Sequence, residues 1–189
     1  MKHWILIAIS YLLLFTASFS AYSQTIDPYC HVEVVSGSPA IFNLSTLDDI
    51  TNGKTLTYSS RIRVFFFKAP SKWTFCAKSN ALFFDGPSSD LSVQTVKINV
   101  EHLYFNKDVD VQPGDFDDYG WNANSYVELT ENGTELAQGW IKNNQFGSRY
   151  TIDFVVRFSI QPVDFSMLSD KIAGYYASQA CFYVYADYF

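Results

Sequence analysis

The chain has 189 residues, a formal net charge of −6 and an aromatic content of 18%. A net negative charge disfavours nucleic acid and anionic membrane surfaces as partners. The aromatic content is typical of secreted β-rich proteins, because aromatic side chains suit the half-buried, pleated surface of a sheet.

Residues 1–23 predict a cleavable secretory signal peptide. Lys2 and His3 form a short basic start, residues 4–15 are apolar, and Ala21 and Ser23 are small residues at the cleavage positions. A single membrane anchor is the alternative, but the apolar run is shorter than the roughly 20 residues that a helical span needs. Cleavage after Ser23 would leave residues 24–189 as a single domain that does not insert into the membrane.

Residues 57–67, 93–100 and 150–160 alternate apolar and polar side chains with period two, which predicts β-strands. The run at 150–160 is the longest. Turn signals such as Asn132-Gly133 separate these runs, and a helical repeat of comparable length is missing from the sequence. The pattern predicts an all-β domain, either a sandwich or a barrel.

The three cysteines are Cys30, Cys76 and Cys181. Export favours one disulfide bond. Three pairings are possible, and each leaves one cysteine unpaired. The alternative is three unpaired, buried cysteines.

The sequence lacks a recognisable catalytic pattern. Outside the signal peptide only His31 and His102 remain, and neither has the spacing of a metal ligand. The sequence has no Cys-x-x-Cys pair, no nucleophile elbow and no glycine-rich phosphate loop. We therefore expect a protein without enzymatic activity and without a cofactor.

An acidic segment within residues 107–122 allows two interpretations. Its carboxylates could bind calcium, but the order of residues does not fit an EF-hand loop, so a solvated loop is favoured and no metal site is predicted. The aspartates in question are Asp108, Asp110, Asp115, Asp117 and Asp118.

Aromatic residues in and after the acidic segment suggest a second site. Phe116, Tyr119, Trp121 and Trp140 are candidate ligand contacts, since exposed rings can stack on sugars or anchor a protein partner. The alternative is that they pack inward as a minor core. On the first interpretation the chain would be a stand-alone extracellular carbohydrate-binding domain.

The end of the chain carries a resemblance to a known family. The segment "YTIDFVVRFSIQPVDF" is followed by a loop and then by "AGYYASQACFYVYADYF". This resembles the end of secreted bacterial fimbrial domains of the chaperone–usher pilin and spore coat protein U type, with Gly174-Tyr175 as the glycine–aromatic pair and Tyr188 as the penultimate tyrosine. The upstream segment "SKWTFCAKSNALFFDG" is similar to their tryptophan-centred strand, and the resemblance covers about residues 50–189.

The resemblance implies an immunoglobulin-like antiparallel β-sandwich and a non-enzymatic protein exported through the periplasm to the cell surface of a Gram-negative bacterium. It implies a fimbrial subunit or adhesion module that assembles by β-strand complementation, with neighbouring subunits and a periplasmic chaperone as partners. Residues 24–36 offer only a short donor strand, because Pro28 interrupts their alternation. The implied assembly strand carries Gly174, Tyr175, Phe182, Val184, Ala186 and Tyr188.

The final residues, "CFYVYADYF", alternate between two faces. Phe182, Val184 and Ala186 share one face with Tyr188, and Tyr183 lies on the other. An unpaired terminal strand would be an aggregation hazard. We therefore expect this strand to pair with the domain's own sheet, or with a chaperone and a neighbouring subunit during assembly.

Overall fold

The all-β prediction is confirmed by a computed structural model of the chain. It describes residues 15–23, 28–37, 40–44, 51–55, 59–68, 70–81, 84–86, 92–105, 109–111, 119–123, 125–141, 150–160 and 175–188. Most of the described residues are in strands; a 3₁₀ turn lies at Val93–Thr95, and Thr51 and Asn52 are helical. The strands are β1 (Phe15–Ser23), β2 (Cys30–Ser36), β3 (Ala40–Leu44), β4 (Lys54–Thr55), β5 (Ser60–Phe66), β6 (Pro70–Ser79), β7 (Val96–Phe105), β8 (Val109–Val111), β9 (Tyr119–Ala123), β10 (Val127–Glu128), β11 (Thr134–Ile141), β12 (Tyr150–Ile160) and β13 (Tyr175–Tyr188).

These strands form two sheets. The first sheet has the order β3-β1-β13-β6-β11-β9, and the second has the order β10-β7-β12-β5-β2, with β4 beside β12 and β8 beside β7. Neighbouring strands are antiparallel in every pair except β1 and β13, which run parallel. Apolar side chains from both sheets make one continuous core, as in a β-sandwich.

Alternation along each strand decides which side chains enter that core. In β5 the inward residues Ile62, Val64 and Phe66 are buried, while Arg61 and Arg63 point away from the first sheet. The pattern follows from the pleat, which sends successive side chains to opposite faces.

A stack of three phenylalanines joins the two layers. Phe75 of β6 lies parallel to Phe154 of β12, with ring centroids 4.1 Å apart, and it also stacks on Phe182 of β13 at 5.7 Å. Trp73 meets Phe154 edge to face at 5.3 Å. All four side chains are buried, so this cluster fixes the terminal strand to both its own sheet and the facing one.

The terminal strand pairs with β6 from Ala180 to Tyr188. Phe182 and Val184 are fully buried in the core, and Ala186 packs against it from a partly buried position. The expected pairing of this strand with the domain's own sheet is therefore what the structure shows.

The three cysteines are buried thiols that are not joined in a disulfide bond, which corresponds to the alternative that the sequence left open. Cys30 belongs to the core between the sheets. Cys76 alternates with the core residues Phe75 and Ala77, so it lies on the face of the first sheet that is turned away from the second. Cys30 and Cys76 are therefore on opposite sides of the first sheet.

A buried ion cluster lies on the outer face of the second sheet. The Asp153 side chain of β12 is fully buried, and it accepts hydrogen bonds from Arg61 Nε to Oδ2 at 2.7 Å and from Arg63 Nε to Oδ1 at 2.7 Å. Arg63 Nη2 donates a further bond to Oδ2 at 2.8 Å. Hydrogen bonding to Asp153 raises the pKa of the Arg63 guanidinium.

The N-terminal strand lies within the predicted signal peptide. Residues 15–23 belong to the predicted signal peptide, yet they form β1 in the interior of the first sheet. None of the described segments is a helix that is both long and apolar enough to cross a membrane.

Candidate functional site

Strand β1 lies between β3 and β13 and pairs with both. It runs parallel to β13, from Thr16 opposite Tyr175 to Ser23 opposite Phe182. It runs antiparallel to β3, which is at the edge of the first sheet in the described strand order. We call the space between β3 and β13 that β1 occupies the slot.

The residues that fill the slot come entirely from the N-terminal side of the predicted cleavage point after Ser23. Removal of residues 1–23 would leave the facing edges of β3 and β13 without their partner strand. Backbone N–H and C=O groups along such edges need a replacement partner, either water or another strand. The slot is therefore a place where a strand from elsewhere would fit.

Strand β13 extends beyond the part that β1 covers. From Tyr183 to Asp187, the only strand alongside β13 in the described part of the chain is β6, on its opposite edge. A cleft of about 490 Å³ lies against this end of the strand and is lined by Tyr29, Lys72, Tyr185 and Asp187, among other residues. We call it the terminal cleft.

Three tyrosines are among the residues that line the terminal cleft: Tyr29, Tyr185 and Tyr188. Tyr29 is 50% exposed and Tyr185 is 54% exposed. Tyr29 meets Tyr188 edge to face at 5.2 Å, and Lys68 Nζ lies 5.9 and 5.5 Å from the centroids of these two rings. The cation–π contacts hold the Tyr29–Tyr188 pair at the end of the strand.

Two charged side chains line the same cleft. Lys72 and Asp187 are opposite each other in the β6–β13 register, and both are exposed. Among the described residues neither side chain makes an ion pair within 4 Å. Exposed rings with hydroxyl groups, a cation and a carboxylate give the cleft both apolar and polar contacts for a ligand.

Tyr183 and Cys76 form a buried polar pair close to this cleft. They are opposite each other in the β6–β13 register, and their side chains are hydrogen-bonded. Burial raises the pKa of the Cys76 thiol to about 11, with a further contribution from the negative charge of Glu135. Burial also raises the pKa of Tyr183. The thiol is therefore protonated at neutral pH, when a nucleophilic cysteine would need to be a thiolate.

The two tryptophans predicted to contact a ligand do not form one surface. Trp121 is opposite Gly139 and Trp140 is opposite Gly120 in the β9–β11 register, so their side chains point to opposite faces of the sheet. Trp121 is 2% exposed and belongs to the core, and it therefore offers no ring face to a ligand. Tyr119 is described by its backbone only, as part of β9, and Phe116 is outside the described residues.

The predicted assembly residues fall into three groups. Phe182 and Val184 are core residues, so they position the strand and leave no surface for a partner. Ala186 and Tyr188 are partly buried and line the terminal cleft. Tyr175 is described by its backbone, opposite Thr16, and Gly174 is outside the described residues.

The acidic segment is largely outside the described residues. Asp110 is described by its backbone within β8, whereas the other four aspartates are not described. In the part of the chain that is described, no three acidic, histidine or cysteine side chains lie close enough together to hold a metal ion.

Sequence reasoning missed both the slot and the terminal cleft. The exposed face of Tyr185 follows from the alternation of the last residues, but nothing local to Tyr29 or Lys72 indicates that they lie beside it. The sequence of residues 15–23 did not lead us to predict a strand, because an apolar segment with small residues is also typical of a signal peptide.

Comparison with known proteins gives no further guide to this site. No protein-family model matches the chain, and the search of curated proteins finds no match either.

Proposed function

We propose that this is a secreted, non-enzymatic protein of a Gram-negative bacterial surface, a fimbrial subunit or adhesion module that assembles by β-strand complementation. Its sandwich would be of the immunoglobulin-like type. The observation that supports the proposal is the slot, which is filled by residues 15–23, on the N-terminal side of the predicted cleavage point. The sequence resemblance to fimbrial domains points in the same direction.

In the proposed mechanism, removal of residues 1–23 empties the slot. A periplasmic chaperone strand fills it during export, and a strand of a neighbouring subunit fills it in the assembled form. Main-chain hydrogen bonds along β3 and β13 supply affinity for any extended peptide, as in other cases of strand addition. The parallel register of β1 along β13 shows that the slot accommodates a strand in that direction.

The test uses the chain from residue 24 onward and a synthetic peptide of residues 15–23, FTASFSAYS. The protein is refolded from urea with and without the peptide. We expect the peptide to raise both the yield of folded monomer and the thermal unfolding midpoint, because it restores the partner of both strand edges. A peptide with Ser18→Pro and Ser20→Pro is the control, since each proline removes a backbone donor.

One result would contradict the proposal directly. If residues 24–189 fold to a stable monomer without the peptide, and the peptide changes neither yield nor unfolding midpoint, the slot does not need a strand. An equal response to the proline-containing peptide would show that the effect is not strand pairing.

A further inference from the structure

The turn between β10 and β11, residues 130–134, carries the pair Asn132-Gly133. Both ends of the turn are held: Thr134 Oγ1 donates a hydrogen bond to the Glu128 carbonyl at 2.9 Å, and the Thr130 carbonyl accepts one from the backbone of β6 at 2.8 Å. Asn132 is exposed between these anchors. Among the described residues, neither its carboxamide nor the Gly133 N–H takes part in a hydrogen bond.

The fold requires a glycine at position 133. The φ of Gly133 is 94°, which lies in the region that residues with a side chain rarely adopt. A Cβ built on Gly133 would also overlap the Tyr183 hydroxyl. A residue without Cβ gives its own backbone nitrogen the least steric protection from the side chain that precedes it. The fold therefore places an unprotected backbone nitrogen directly after an exposed asparagine.

We propose that Asn132 is a site of spontaneous covalent modification, in which the Gly133 nitrogen attacks the Asn132 side chain, and that the product displaces Tyr183 from the Cys76 thiol. The inference is independent of the proposed function, because it involves neither a partner nor export. It assigns a chemical role to a turn that the slot and the terminal cleft do not use.

The reaction needs only water as a co-reactant, and nothing is oxidised or reduced. A bond forms between Gly133 N and Asn132 Cγ, the Cγ–Nδ2 bond breaks, and the amide group leaves as ammonia with the proton of the Gly133 nitrogen. Water then opens the cyclic imide at either carbonyl carbon. Opening at Cγ gives aspartate, and opening at the backbone carbonyl gives isoaspartate, in which the chain runs through Cβ and Cγ. Both products add a negative charge.

Tyr183 connects this turn to the Cys76 thiol. The two residues are opposite each other in the β6–β13 register and their side chains are hydrogen-bonded, while the Tyr183 hydroxyl also lies against Gly133. Tyr183 is 5% exposed and Cys76 is 6% exposed. Lys78 Nζ, 5.8 Å from the ring centroid, holds the Tyr183 ring from the side. The ring therefore contributes to the cover of the thiol, and its position depends on the space beside Gly133.

Isoaspartate would change that space. It lengthens the backbone between Asn132 and Gly133 by one carbon–carbon bond, about 1.5 Å. Thr134 is paired with Ala77 in the sheet, so the extra length cannot be absorbed on that side without breaking the β6–β11 register. Gly133 must therefore move towards or away from the Tyr183 hydroxyl, and in either case the ring loses its present position.

A second Asn-Gly pair in the same chain gives a matched comparison. Asn52 is exposed and Gly53 has a φ of 72°, so the two pairs share residue types, exposure and a positive φ. Asn52, however, is helical, whereas Asn132 is in a bend. A helical backbone directs the next N–H along the helix axis and away from the side chain, so ring closure at Asn52 requires local unwinding first.

The first experiment measures modification at both asparagines. The full-length protein is incubated at mildly alkaline pH, folded or in urea, and peptide mapping by mass spectrometry follows the gain of about 1 Da that replacement of the amide by a carboxyl group produces. We expect Asn132 to react about tenfold faster than Asn52 in the folded protein, and the two rates to agree within about twofold in urea, where neither local structure exists. Asn132→Gln should abolish the reaction at position 132 and leave the rate at Asn52 unchanged, because the longer side chain disfavours ring closure.

The second experiment measures the displacement of Tyr183 by maleimide labelling of Cys76 in the folded protein. We expect the isoaspartate form to be labelled about tenfold faster than the unmodified protein, because the thiol is no longer covered. Asn132→Asp adds the charge without lengthening the backbone, so its labelling should stay within about twofold of wild type. Tyr183→Ala should reproduce the fast labelling without incubation. Cys30, in the core between the sheets, should stay unlabelled throughout and so report that the protein is folded.

The other outcomes each overturn the inference. If Asn132 reacts no faster than Asn52 in the folded protein, or is equally favoured in urea, the fold does not create the site. If Asn132 is modified but Cys76 is labelled at an unchanged rate, Tyr183 is not displaced. Equal acceleration by Asn132→Asp would assign the effect to charge, and labelling of Cys30 together with Cys76 would assign it to global unfolding; both results contradict displacement by the lengthened backbone.

Discussion

Replacing Arg63 by leucine should destabilise the protein strongly, because it takes two hydrogen bonds from a fully buried carboxylate. Arg63 Nε and Nη2 donate to the two oxygens of Asp153 at 2.7 and 2.8 Å. The Arg63 side chain is 16% exposed, so water has little access to the space that it would leave. Arg61 would remain as the only described cationic partner of Asp153, bonded to Oδ2.

The expected loss is about 3 kcal/mol. A hydrogen bond to a charged group contributes about 1.5–3 kcal/mol, and breaking a buried ion pair costs about 3–5 kcal/mol. The lower end applies here because Arg61 continues to neutralise the carboxylate. Arg61→Leu should cost less, about 1–2 kcal/mol, since its side chain is 35% exposed and both of its contacts go to one oxygen.

The assay is urea unfolding followed by tryptophan fluorescence for four proteins: wild type, Arg63→Leu, Asp153→Leu and the double variant. The double-mutant cycle gives the coupling energy, which we expect to be about 2–3 kcal/mol. Arg157→Leu is the matched control, because its pair with Glu101 is partly exposed on the same face of the sheet and should contribute less than about 1 kcal/mol.

Two results would refute this reasoning. If Arg63→Leu costs no more than Arg157→Leu, the Asp153 carboxylate is solvated in spite of its burial. If the coupling energy between Arg63 and Asp153 disappears in 1 M salt, the pair behaves as a surface pair, because buried pairs are screened much less than exposed ones.

Four further changes have defined expectations. Phe75→Ala should lower the free energy of unfolding by about 3–5 kcal/mol in urea titrations, because it removes the middle ring of the stack between the sheets; a loss below 1 kcal/mol would show that the core refills the space. Gly133→Ala should lower the free energy of unfolding by about 1–3 kcal/mol in the same assay, because the φ of Gly133 is 94° and the added Cβ would collide with the Tyr183 hydroxyl. Adding Tyr183→Phe to this variant should recover part of the loss, because it removes that hydroxyl. Stability should fall as pH rises from about 9 to 11, because the unfolded thiol of Cys76 loses its proton near its ordinary pKa of 9.0 while burial holds the folded pKa at about 11; Cys76→Ala should make the decline shallower, and an unchanged slope would argue against this cause. Deletion of residues 181–189 should abolish folding, as measured by circular dichroism, because it removes Phe182 and most of the strand that pairs with one edge of β6; a folded truncated protein would show that the terminal strand is not part of the core.

Local alternation accounts for the elements that the sequence predicts well. The run at 150–160 became β12 with the same bounds, and its inward residues Phe154 and Val156 are fully buried. The sequence pattern also placed Phe182 and Val184 on one face of the terminal strand, and in the structure both side chains point into the core. In both cases one face is apolar over the whole strand, so the period-two signal is not interrupted.

Long-range pairing decides the elements that the sequence does not predict. Trp121 is in the short strand β9, and the register of β9 with β11 determines which of its side chains face the core. The residues next to Trp121 in the sequence do not indicate that register. The terminal cleft brings Tyr29 beside Tyr185 and Tyr188, which are far apart in sequence. Sites of this kind depend on strand order, which a pattern within one segment does not determine.

Residues 15–23 form strand β1 and also belong to the predicted signal peptide, and this affects the proposed assembly. As long as these residues are covalently joined to the domain, β1 fills the slot as an intramolecular strand, and its effective concentration greatly exceeds that of any partner. A partner strand with similar contacts cannot displace it under those conditions. Cleavage after Ser23 would remove this advantage, because the released segment would then compete only at its own low concentration. In the proposed function, processing of the N-terminus is therefore the step that makes the slot available to a partner strand.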